Sequence, residues 1–160
     1  MKKHILTLAV LFSLGCGFVS EVLAQANPNV LIAQRKGAMD LQGKYFGPIY
    51  GMAAGRAPFD QRVAQRNADY LVVLAQLAWD DFQPNTLGLP NTRAKEEILS
   101  DGAKFKSRYE SLQGEIQKLQ AAVRTGDQNA LKAAVQSVAG NCNACHEAFS
   151  TFNFRFAPLQ

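Results

Sequence analysis

The residues best equipped for chemistry stand together near the end of the chain, as Cys142-Asn143-Ala144-Cys145-His146. Two thiols three residues apart share one face of a helix, and each can add to a vinyl group of a porphyrin. The imidazole one residue on is then delivered beneath the ring with a nitrogen aimed at iron. A chance match to C-x-x-C-H in a chain of this length is roughly a one in a thousand event. Two other chemistries use the same residue types. A dithiol redox pair needs a lowered thiol pKa, usually supplied by a helix N-terminus, whereas this motif falls late in a long helical pattern. A structural zinc site needs about four ligands, and too few soft ones lie close together.

The inventory sharpens once the N-terminus is read. Lys2 and Lys3 precede an apolar run from Ile5 to Val19, and Val22-Leu23-Ala24 offers a small-x-small cleavage site before Gln25. Residues 1–24 are therefore expected to be a cleaved secretory signal, too short and too early for a membrane span. A lipoprotein signal at Cys16 fits poorly, because Ser13 and Leu14 depart from its pattern. Cleavage takes away Cys16 and His4, so Cys142, Cys145 and His146 become the whole cysteine and histidine stock of the mature chain. Export to the periplasm also fits thioether formation, which takes place outside the cytoplasm. Of 17 basic and 13 acidic residues, only Lys2, Lys3 and Glu21 go with the leader. The mild positive excess that remains is a solvated surface. No basic cluster with interleaved aromatics points to nucleic acid.

The rest of the chain must position this motif. At 160 residues and 48% hydrophobic content, residues 25–160 suffice for one domain with a core. Apolar residues recur at helical spacing throughout, and no useful length alternates at a strand period. A first helix is expected from about Asn29 into the forties, with Ile32, Arg35, Met39, Phe46 and Ile49 on one side, kinked or ended by Pro48. A second starts at Asp60, with Phe59 as its staple, and carries Val63, Tyr70, Leu71, Leu74, Leu77 and Ala78. A third repeats Phe105, Tyr109, Leu112, Ile116, Leu119 and Val123, stopped by Gly126. The last is capped by Asp127 and runs Leu131, Val135, Val138, Cys142, Cys145, Phe149, so the motif continues a core stripe. The pattern predicts an all-α, antiparallel four-helix bundle, with an irregular link over Gln83–Thr92.

These residues together resemble the class II cytochromes c, and specifically the cytochrome c′ family, over nearly the whole mature chain. The markers are Arg35 and Met39, then Tyr45-Phe46-Gly47, Ala57-Pro58-Phe59-Asp60, Ala78-Trp79-Asp80-Asp81-Phe82, Thr92-Arg93-Ala94-Lys95, and the motif near the C-terminus. The resemblance implies one covalent haem c inside one end of the bundle, with His146 as axial ligand. It implies a five-coordinate iron whose vacant face admits nitric oxide or carbon monoxide. It maps Met39 onto the residue over that face and Arg35 onto an arginine near a haem propionate. Low-spin members of the class instead take a methionine from this region as sixth ligand, and then act as electron carriers. Met39 is the only serious candidate for that role here.

Relatives often carry a basic residue where this chain has Ser150, and end in lysines where this one reads Thr151-Phe152-Asn153-Phe154-Arg155-Phe156. The phenylalanines would either cover the His146 side of the haem or pack on a partner subunit. A homodimer through the first two helices is the expectation from the resemblance; redox partners are not legible. No side chain is placed for acid–base or nucleophilic catalysis, and a binding or electron-transfer role is expected rather than an enzymatic one.

Overall fold

Helix α1 begins where Asn27 turns its side chain onto the N–H of Asn29 at 2.9 Å, with Pro28 in the first turn. In the computed structural model, which describes residues 27–159, it spans Pro28–Ala53. The signal segment 1–24 and Cys16 lie outside the described residues. Pro48 does not end α1, which continues to Ala53. It sits on the exposed side, where the backbone acceptor it leaves unpaired, on Lys44, is open to water.

Asp60 caps α2 (Gln61–Leu74) through the N–H of Val63 at 3.0 Å, as its position predicts. The helix stops at Leu74, so Leu77 and Ala78 lie in the turns beyond it. Its buried face is only partly the expected one, with Leu71 and, beyond the helix, Ala78 buried as expected. Ala64, Asn67, Ala68 and Leu71 face inward, whereas Tyr70 is 46% exposed and Leu77 56%. Small side chains let α2 approach its neighbours closely, and the larger apolar residues are left outside.

The long link holds a 3-10 turn at Pro84–Thr86 and a single helical turn, α3 (Glu97–Ser100). Helix α4 (Gly102–Thr125) ends on Gly126 at φ 70°, a left-handed cap that suits glycine. Asp127 then opens α5 (Gln128–Phe149) by accepting from the N–H groups of Asn129 and Ala130 at 2.8 and 3.2 Å.

Helices α1, α2, α4 and α5 form the four-helix bundle, with α1 against α2, α2 against α4, α4 against α5, and α5 back against α1. One large apolar core fills it, built on Phe46, Ile49, Leu71, Ile116, Leu119, Leu131 and Val135 among others. Truncating one of these to alanine costs about 2–5 kcal/mol. A smaller second core joins Leu87, Ile98, Phe105 and Phe149 at the end where α5 finishes. There Lys95 donates to the Phe149 carbonyl at 3.0 Å and Thr151 to the Arg93 carbonyl at 2.8 Å, an isolated antiparallel bridge. Among the described residues no helix is long and apolar enough to cross a membrane.

Candidate haem site

Along α5 the inward line is sealed at Leu131, Val135 and Val138, opens to half-burial at Cys142, Cys145 and His146, and is sealed again at Phe149. Other elements also carry half-buried inner residues. On α1 Met39 and Gln42 are half-buried between Ala38 and Phe46. On α4 Tyr109 is half-buried between Phe105 and Leu112, and Trp79 after α2 is likewise half-buried. Cys142 packs on the large core, Cys145 on the small one, and Trp79 on both. The two motif cysteines thus lie at the junction of the two cores, and α1, α4 and the segment after α2 each carry partly covered residues of their own. A flat apolar ring edged by two thiols and one imidazole fits this arrangement.

The electrostatics agree with that use. Burial pushes the Cys142 thiol up to about 12 and the Cys145 thiol up to about 11, with Arg108 opposing the second shift. Such thiols stay protonated at neutral pH and lack the thiolate that dithiol exchange requires. Burial also lowers the pKa of His146, which keeps the imidazole neutral, the form that binds metal. Its Nδ1 is buried with no hydrogen-bond partner in the protein. Among the described residues, no group of three or more His, Cys, Asp or Glu side chains is arranged to hold a bare metal ion.

Arg35 lies buried in α1, at 3% exposure, and its guanidinium is spent largely on the long link. Nη1 donates to the Asp81 carbonyl at 3.0 Å and the Thr86 hydroxyl at 2.6 Å. Nη2 donates to the Thr86 carbonyl at 3.0 Å and to the Thr92 hydroxyl. The charge also lies over the Phe82 ring, 4.7 Å from its centroid. Burial lowers the Arg35 pKa, and the nearby Asp81 carboxylate opposes that shift. Both terminal nitrogens are therefore committed, and Nε is the donor left for any further anion. That Arg35 ties the link down has no local signal, because its partners lie 46 to 57 residues away.

Three further residues were not singled out by pattern. Gln42 follows Met39 by one helical turn, and its Nε2 lies 3.9 Å from the Met39 Sδ and 3.4 Å from the Leu74 carbonyl. Its spacing of seven from Arg35 was the available signal. Asn143, at a variable place in the motif, exchanges two hydrogen bonds with the backbone of Phe156, at 2.8 and 2.9 Å. Tyr50 donates its hydroxyl to the Ala157 carbonyl at 2.6 Å. No local pattern foretells the last two, since their partners arrive from the tail.

Known proteins similar to this chain include cytochromes c′ and, at 28% identity over 122 residues, a cytochrome c-554 of Cereibacter sphaeroides. The sequence profile of the family described as cytochrome C′ matches residues 30–150. The chain is 36% identical over 124 residues to a cytochrome c′ of Alcaligenes xylosoxydans xylosoxydans, covering 78% of this chain and 95% of that one. The crystal structure of cytochrome c′ from Rubrivivax gelatinosus superposes with a TM-score of 0.73 at 37% identity, covering 78% of this chain and 98% of that one. A nitric oxide complex of a cytochrome c prime mutant from Alcaligenes xylosoxidans gives the same TM-score at 35% identity, with coverages of 80% and 98%. With a four-helix bundle and the C-x-x-C-H residues half-buried where its two cores meet, this chain belongs to the cytochrome c′ family and binds haem c covalently.

Proposed function

We propose that Cys142 and Cys145 carry the haem through two thioethers, that His146 is the axial ligand, and that the Met39 face of the iron stays open to nitric oxide and carbon monoxide. The observation that carries this reading is the half-buried placement of the three motif residues on α5, with Cys142 packed against one core and Cys145 against the other. When bound, the haem supplies an iron centre that takes up a diatomic ligand or an electron. The chain's own residues hold and orient it, keep water out, and hold His146 neutral. Met39 stands over the open face as adaptable apolar bulk. The nitric oxide complex of a relative supports the same reading. Arg35 would meet a propionate through Nε while its other nitrogens hold the link.

The protein so read is a periplasmic ligand-binding haem protein able to take part in electron transfer, and not an enzyme. It is also read as a homodimer. Leu41 on α1 and Tyr70 and Val73 on α2, with Leu77 just beyond, leave large apolar side chains exposed on the two helices concerned.

The test is the optical spectrum of the purified protein, oxidised and reduced, with and without carbon monoxide. A high-spin oxidised spectrum that responds to the gas is expected. A low-spin spectrum with a methionine–iron charge-transfer band, indifferent to carbon monoxide, would make Met39 the sixth ligand and the protein an electron carrier.

A further inference from the structure

The tail after α5 does not run out into solvent. It leaves the helix through the bridge to Arg93–Lys95 and turns back along the flank of α5 that carries His146 and, one turn earlier, Asn143. The Phe152 ring stands edge-on to the His146 imidazole, 6.1 Å between centroids, and beneath the Arg93 guanidinium at 4.7 Å. Phe154 stacks on Phe152, and Phe156 meets Phe154 edge to face at 4.9 Å. Phe156 then sits against Phe46 at 4.9 Å and Tyr50 at 5.1 Å, both on α1. Its backbone is clamped by both polar atoms of Asn143, and the next carbonyl is held by the Tyr50 hydroxyl. An extended segment with anchors on two helices costs conformational entropy to order. The hydrogen bonds and three ring contacts together offset that cost, each bond by about 1 kcal/mol.

We propose that residues 152–157 are a strap that seals the His146 side of the haem, holding the imidazole on the iron and leaving the Met39 face as the only entry for added ligands. The inference rests on the placement of the haem and the open Met39 face proposed above. The strap works in two ways. Phe152 covers the outer edge of the imidazole, where an incoming molecule or water would approach. The Asn143 clamp fixes the segment to the same helix turn that bears the ligand, so the cover moves with it. The buried, unpartnered Nδ1 of His146 is the observation that joins the strap to the site, because water is kept from a group that would otherwise bond it.

The experiment uses the haem-loaded full chain and two variants, Asn143→Ala, which cuts the clamp, and Phe152→Ala, which removes the cover and leaves every clamp in place. Far-UV circular dichroism checks that both fold. The first readout is solvent exchange of the His146 Nδ1 proton, a paramagnetically shifted resonance in the oxidised protein. Slow exchange is expected in the natural chain and about tenfold or faster exchange in both variants. The second is electron paramagnetic resonance of the reduced protein with nitric oxide. Coupling to two axial nitrogens is expected in the natural chain, and to one in the variants as His146 leaves the iron. Equal exchange in all three proteins overturns the strap, and so does loss of His146 from the natural chain under nitric oxide. A protein that takes up no nitric oxide defeats the open-face reading instead, and the proton exchange then decides the strap by itself.

Discussion

Arg35 on α1 and Thr86 in the link beyond α2 hold each other twice, from Nη1 to the threonine hydroxyl at 2.6 Å and from Nη2 to its carbonyl at 3.0 Å. Thr86 is fully buried. Removing the guanidinium takes the donor from the buried Thr86 carbonyl, while the Asp81 carbonyl and the Thr92 hydroxyl keep only the bonds from the Thr86 hydroxyl at 3.3 Å and the Ala94 N–H at 3.1 Å. Arg35→Ala is therefore expected to cost about 2–4 kcal/mol in denaturant unfolding. Arg35→Lys should recover only part, because a point charge cannot replace a planar fork. Hydrogen exchange should rise in residues 81–92 first; a rise spread evenly over the bundle would contradict a local anchor.

Replacing Met39 by alanine enlarges the space over the open face. Carbon monoxide affinity of the reduced protein is expected to rise by about tenfold, which is about 1.4 kcal/mol. Gas titration by absorbance measures it. Affinity and spin state both unchanged would remove Met39 from the ligand face.

Cys142→Ser and Cys145→Ser should each leave one thioether, and the double variant none. Acid–organic extraction should then release the haem from the double variant alone. Release from either single variant would mean that the two thiols do not share the attachment.

The lowered pKa of His146 has a sign that can be followed in the chain before haem attachment, represented by Cys142→Ala/Cys145→Ala. Above the ordinary value of 6.5 both folded and unfolded imidazoles are neutral and stability is unaffected. Below it the unfolded chain takes the proton first, so stability falls with pH until the folded form is protonated too. The urea midpoint should fall as the pH is lowered below 6.5, and His146→Gln should flatten the profile. A profile unchanged by that substitution would assign the acid loss elsewhere.

The exposed apolar face of α1 and α2 predicts self-association. Val73→Glu with Leu77→Glu places charge on it and should convert a dimer to a monomer in sedimentation. A natural chain that sediments as a monomer at all concentrations would remove the face as an interface.

Much of this fold is readable from the sequence because helix signals are local. Asp60, Gly126 and Asp127 sit at the boundaries their chemistry predicts, and the α4 and α5 stripes are buried as spaced. The inner face of α2 is only partly legible because Ala64, Ala68 and Asn67 carry little hydrophobic signal, whereas Tyr70 and Leu77 carry much. What decides that face is how closely neighbouring helices approach. Pro48 does not end α1 because its cost depends on which side of the helix it faces. At the site, Cys142, Cys145 and His146 declare themselves by spacing. Gln42, Thr86 and Asn143 do not, since their partners lie elsewhere in the chain; Tyr50 finds its acceptor 107 residues away. Contacts of that kind belong to the assembled bundle.

Trp79 is the only tryptophan in the chain. It packs on both cores beside the cysteines, and its indole lies nearly parallel to Tyr109 at 4.6 Å. The molecule therefore carries its own photophysical gauge. With a haem bound, emission from this indole is drained by energy transfer into the porphyrin bands and the loaded protein is dark. Unfolding lengthens the separation and lights it. Light from one native side chain thus reports cofactor loading and bundle integrity with no label attached.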